Sequence, residues 1–161
     1  VHRRRHGRGA DHRALSARSG APAAPIVIDT NIVLDLLVFD DPRWAPLRAA
    51  LAAGELRWLA TAAMREELLR VLGYPLIARR LQKDARQADA VMAAFDAQVH
   101  TVTDVPVRAR FVCKDPDDQI FIDLAVAQAA RLLSKDQAVL SMRKRLATLG
   151  VDVTPMFQAP A

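Results

Sequence analysis

Ile26-Val27-Ile28-Asp29-Thr30-Asn31 is a run of three branched apolar side chains ending on an acid and two residues able to cap a following helix. It reads as a buried strand that delivers a carboxylate to the edge of a sheet, and α/β proteins bind ligands outside the carboxyl ends of their strands. One acid makes no site, so the reading turns on whether later segments bring further carboxylates to the same edge.

The chain alternates extended and helical patterns from this stretch onward. Residues from Asn31 to about Phe39 are apolar on nearly every side and read as a buried helix stopped by Asp40-Asp41-Pro42. A second helix capped by Asp41 follows through Trp44, Leu47 and Leu51 to Gly54, then a strand over Arg57 to Ala60, then a helix from Thr61 to Leu72 ended by Gly73 and Pro75. Residues 76–98 read as one helical stretch, with extended candidates at Val99 to Val102 and Ala109 to Cys113. Asp115-Pro116 opens a helix to Ala130, Arg131 to Ser134 is a strand, Asp136 starts a helix to about Leu149, and Gly150 to Thr154 is a last strand. This order predicts a three-layer α/β/α architecture, with a central twisted, mostly parallel sheet of four to five strands.

Helix geometry selects among the acids. With Asp115 as cap and Pro116 at the first helical position, Asp118 shares a face with Ile122, Ala125 and Ala129 at about 100° per residue, the face expected on the sheet. Its competing role is a capping box bonding the Asp115 amide. Asp123 lies about 140° from Asp118 and is assigned to solvent. Glu67 borders the apolar face set by Met64, Leu68, Val71 and Leu72, whereas Glu66 points away. Asp136 ends a second strand-to-helix junction like that of Asp29. Carboxylates gathered on one edge repel unless a cation sits among them, and an all-oxygen pocket suits Mg²⁺ or Mn²⁺. Such sites promote in-line displacement at phosphorus, so phosphodiester hydrolysis fits best.

Composition bounds the rest. The 161 residues, 52% apolar, suit one domain, here residues 26–158. The formal charge of +5 resides in residues 1–25, where six arginines face the single Asp11, so the body is neutral by count. That segment reads as a disordered basic extension, either dispensable or a non-specific phosphate contact. The lone Cys113 excludes an internal disulfide and reads as a thiol without chemistry. No apolar run approaches the roughly 20 residues of a membrane span. A cytoplasmic protein with no membrane partner is expected.

The stretches Ile28-Asp29-Thr30-Asn31, Glu67-Leu68-Leu69-Arg70-Val71-Leu72, Asp115-Pro116-Asp117-Asp118 and Leu132-Leu133-Ser134-Lys135-Asp136 together resemble the PIN-domain family, in particular its bacterial branch of toxin components of toxin-antitoxin systems. The resemblance implies a metal-dependent endoribonuclease in which Asp29, Glu67, Asp118 and Asp136 hold Mg²⁺ or Mn²⁺. Thr30 or Asn31 would orient Asp29, and Ser134 stands where a threonine is usual. It further implies an RNA substrate, a small antitoxin partner covering the groove, and a possible homodimer. Arg65, Arg70, Arg79, Arg80, Lys83, Arg86 and Lys135 are the candidate phosphate contacts, each competing with a solvated helix face.

The sequence departs from the family pattern at Lys135, where glycine is frequent, and at Ala138, where a further acid is frequent. Asp35 sits where a small residue is commoner and reads as a partly exposed helix acid rather than a water-mediated metal contact. The thinned corner motivates an alternative, a non-catalytic PIN-like module that binds RNA or a partner. A haloacid-dehalogenase-type phosphatase with Asp29 as nucleophile ranks low, because that family needs an aspartate where Asn31 stands.

Overall fold

Ile26, Val27 and Ile28 are each at most 2% exposed, as expected of a strand covered on both faces, and they lie at the centre of the sheet. The computed structural model describes residues 22–158; most of the basic extension, read over residues 1–25, lies outside the described residues. The first strand, β1 (Ala24–Ile28), begins inside the stretch assigned to that extension, because the Ala24 amide already pairs with the Glu55 carbonyl at 3.0 Å.

From β1 the chain runs through α1 (Thr30–Leu37), a 3₁₀ turn at Pro42–Trp44 and α2 (Ala45–Ala52) into β2 (Leu56–Ala60). Three helices follow, α3 (Ala62–Leu72), α4 (Pro75–Lys83) and α5 (Ala88–Gln98), before the short β3 (His100–Thr101). A long connection leads to a 3₁₀ turn at Pro116–Asp118, α6 (Gln119–Gln128), β4 (Arg131–Leu133), α7 (Gln137–Leu140), α8 (Arg143–Ala147) and β5 (Val153–Thr154). The five strands are all parallel in the order β3-β2-β1-β4-β5, with helices flanking the sheet as predicted. That order reverses between β1 and β4, which makes the crevice outside their carboxyl ends a topological switch point. Asp29 follows β1, and Ser134 to Asp136 follow β4, so both expected strand-end acids flank this crevice. The α6 helix packs across β1 and β4, and the ring of Phe95 from α5 meets Trp58 of β2 edge-on at 5.3 Å and 88°.

Several elements differ from their sequence reading, three of them in ways that shape the surroundings of the sheet edge. The helical stretch over residues 76–98 is broken because Ala85 adopts a left-handed φ of 53°, which lets the Arg86 amide return to the Leu81 carbonyl at 2.8 Å. The final helix expected from Asp136 to Leu149 is two short helices, α7 and α8, joined at Ser141 and Met142. Residues 109–113 form no strand: the Ala109 amide bonds Asp123 Oδ1 at 2.8 Å and the Cys113 amide bonds Gln119 Oε1 at 2.6 Å, so side chains of α6 take the place of a strand partner. Among the described residues no helix is long and apolar enough to cross a membrane.

Candidate metal centre at the sheet edge

Asp29 leaves β1 directly beneath the first turn of α1 and is 4% exposed. Its Oδ2 accepts a 2.7 Å hydrogen bond from Ser134 Oγ at the end of β4, and Ser134, with no exposed surface, in turn accepts from the Asp136 amide at 3.1 Å. One hydroxyl therefore couples the two strand-end acids. Burial raises the Asp29 carboxyl above its ordinary value; the Ser134 hydroxyl and the backbone amides of Asn31 and Thr30 partly offset this, while the charge of Asp136 adds to it.

Thr30 opens α1 and points sideways, donating from Oγ1 to Glu67 Oε2 at 2.9 Å. Glu67 reaches the site from the second turn of α3, as its place beside the apolar face requires, and it is half-buried whereas Glu66 is exposed. Burial raises the Glu67 carboxyl; the Thr30 bond lowers it, and nearby Asp29 raises it again. Asn31 is exposed and acts on Asp29 through its amide.

Asp118 is 7% exposed at the junction of the 3₁₀ turn with α6, and its side chain does not cap that helix. Its Oδ2 is buried without a hydrogen-bond partner. Burial, together with the charges of Asp29, Asp136 and Asp115, pushes its carboxyl up to about 7. Carboxylate oxygens of Asp115, Asp118 and Asp136 lie within 4.8 Å of one another, close enough to share a cation. Asp115 is a member that sequence reading placed only as a cap. It is a cap, since its Oδ1 accepts from the Asp117 amide at 3.0 Å, but a carboxylate has a second oxygen. The unpartnered Asp118 oxygen and the all-oxygen donor set both fit a hard divalent cation.

The remaining predicted positions are distributed around this centre. Asp123 is not a solvent acid: it is half-buried, accepting from the Ala109 amide and from Gln119 Nε2 at 2.8 Å each, because the connection over residues 109–113 covers that flank of α6. Asp35 is not partly exposed but buried, accepting from Trp44 Nε1 at 3.1 Å and from Lys135 Nζ. Two of the three departures from the pattern thus meet each other, and Lys135, standing where glycine is frequent, is turned onto Asp35 of α1. Arg65 is engaged by Asp96 through two 2.8 Å bonds, and Arg80 by Asp84 at 2.8 Å. Arg70 lies near Glu67, while Arg79 and Lys83 are exposed on α4 and Arg86 is half-buried just after it. Cys113 is buried, and burial raises its thiol; a backbone hydrogen bond at Asp115 partly offsets this, and the charges of Asp118, Asp115 and Asp136 add to it.

No curated protein matches the chain. A family model for the PIN domain matches residues 25–138, from the first residues of β1 through Asp136. That match takes in every acid at the sheet edge and well over half of the sequence, and the chain therefore belongs to the PIN-domain family.

Proposed function

We propose that the protein is a Mg²⁺- or Mn²⁺-dependent endoribonuclease acting at the carboxyl edge of the sheet. The observation that carries this reading is Asp118: a buried carboxylate with one unpartnered oxygen, placed among other acids that raise its proton affinity. Such an arrangement is costly unless a cation occupies it. PIN domains are generally nucleases, and the coarse chemistry follows from that membership.

Asp118, Asp136 and Asp115 form the nucleus of the metal-holding group, with Asp29 and Glu67 completing the acidic wall. A divalent ion held by these residues would supply activation of water and stabilisation of the leaving oxygen in displacement at phosphorus. The chain's own residues do the positioning. Ser134 fixes Asp29 and, through the Asp136 amide, the loop after β4; Thr30 holds Glu67 across from Asp29. Those hydroxyls engage Asp29 Oδ2 and Glu67 Oε2, so neither bond takes up the second oxygen of its carboxylate. The toxin role in a toxin-antitoxin pair, with a small antitoxin covering the groove, rests on the resemblance at the four acidic stretches.

Purified protein should cleave single-stranded RNA when Mn²⁺ is supplied, and cleavage should cease with chelator or in Asp29→Asn. Cleavage that persists under both conditions would sink the metal mechanism. A folded protein that binds RNA but never cleaves it with any divalent ion would favour the non-catalytic module. For the toxin role, expression should arrest growth, and co-expression of the product of the neighbouring reading frame should relieve the arrest.

A further inference from the structure

The connection from β3 to the Pro116–Asp118 turn carries three exposed cations, Arg108, Arg110 and Lys114, and ends in Asp115 of the acidic group. It is pinned to α6 by side chains. Gln119, 5% exposed and next to Asp118, accepts from the Cys113 amide and donates to the Phe111 carbonyl at 3.3 Å, while Asp123 holds the Ala109 amide. The segment is therefore fixed relative to the acids, although it has no regular secondary structure.

Phe111 packs partly buried against the core, and two guanidinium groups lie over its ring: Arg110 at 5.6 Å from the centroid and Arg145, from α8, at 5.9 Å. Among the described residues neither guanidinium is in an ion pair or donates a side-chain hydrogen bond, in contrast to Arg43, Arg48, Arg65, Arg80 and Lys135. Two like charges drawn to one aromatic ring repel each other. The negative ring face offsets this in part, and phosphates of a bound strand would offset it further. A ring contact also leaves every guanidinium N–H free, in the planar fork that matches phosphate.

We propose that Arg110 and Arg145, held by Phe111, form a phosphate clamp for the RNA strand where it leaves the acidic centre. This rests on the ribonuclease reading for the identity of the strand. It moves the main backbone contact away from α3 and α4, where two of the candidate arginines are already engaged by acids, to the β3–α6 connection and α8. Each clamped phosphate releases counterions, so the clamp contributes to the salt dependence of binding.

The test is binding of a fluorescein-labelled single-stranded RNA oligonucleotide to the full chain in chelator, where no cleavage intervenes, read by anisotropy across a salt series. Arg110→Ala with Arg145→Ala should weaken binding roughly tenfold or more at about 100 mM salt. It should also reduce the slope of log affinity against log salt by about 1.4, at ~0.7 per phosphate contact on a single strand. Arg57→Ala, an exposed cation at the opposite end of the sheet, should change affinity less than about twofold, the response of a contact remote from the strand. Phe111→Leu keeps the apolar packing and removes the ring; weaker binding with an unchanged melting temperature is expected. Native-like affinity and slope in the double variant, or equal losses in Arg57→Ala, would overturn the clamp while leaving metal-dependent cleavage intact. An unsubstituted chain that neither binds nor cleaves RNA would overturn both readings.

Discussion

Asp118→Asn removes a charge from the most crowded point of the acidic edge while keeping the shape of the side chain. The Asp118 carboxyl rises from 3.8 to about 7 on folding, so the folded protein binds a proton there more tightly than the unfolded chain does. For an acid shifted upward, stability is greatest below the unfolded value and falls as pH rises from about 4 toward 7. Above 7 the whole penalty is present. At ~1.4 kcal/mol per pH unit the rise sets an upper bound of about 4 kcal/mol, and relaxation of the neighbouring acids and access of water to the open side reduce it to about 2 kcal/mol. In chelator at pH 8, Asp118→Asn should therefore be the more stable protein, by ~2 kcal/mol or about 6 °C in melting temperature for a domain of this size. At pH 5 the advantage should shrink, because the native aspartate is then largely protonated. Mn²⁺ should raise the melting temperature of the native protein by mass action and do much less for the variant, which should also lose RNA cleavage. Thermal melts at the two pH values, with and without Mn²⁺, check all of this. A variant less stable than the native protein at pH 8, or one whose difference from it is the same at pH 5, would refute the idea that repulsion at Asp118 is relieved by a cation.

Three further expectations follow from individual contacts. Ser134→Ala leaves Asp29 without its 2.7 Å donor, so cleavage should fall about tenfold or more and its acid limb should move to higher pH as the Asp29 carboxyl rises further; a pH–rate profile with an unmoved acid limb would contradict this. Asp115→Asn should weaken Mn²⁺ binding about tenfold in a thermal-shift titration, whereas Asp117→Asn, whose amide rather than carboxylate is engaged, should bind as the native protein does; equal behaviour of the two would remove Asp115 from the metal-holding group. Lys135→Ala should cost ~1 kcal/mol by leaving the buried Asp35 with Trp44 alone, and adding Asp35→Asn should recover most of it, a coupling that urea denaturation of the double-mutant cycle measures directly.

Much of the architecture was legible from local pattern, because its causes are local. The apolar run before Asp29 and the shorter one before Ser134 can only be buried strands, and the helices between strands force a parallel sheet. Face arithmetic separated Glu67 from Glu66 for the same reason, since position on a helix follows from spacing alone. The failures also share a cause. Helix phase assigns Asp123 to solvent and the rarity of buried acids makes Asp35 a partly exposed one, but both are covered by groups outside their own helices: Asp123 by the connection over residues 109–113, Asp35 by Trp44 and Lys135. Sequence spacing reveals only the local hydrogen bond by which Asp115 acts as a cap, while its approach to Asp118 and Asp136 depends on how the β3–α6 connection folds back over the sheet edge.

Strand burial and helix phase are set by residues a few places apart, and they alone fix the fold family, the strand-end positions of Asp29 and Asp136, and the acidic character of the edge. That Ser134 joins the two strand-end acids, that Asp115 enters the group and that Lys135 turns to Asp35 depends on the packed fold. It alone brought Arg145 and Arg110 to one ring. These contacts link residues brought together by chain crossings, and their energies come from burial and charge at the meeting point, which no local spacing specifies.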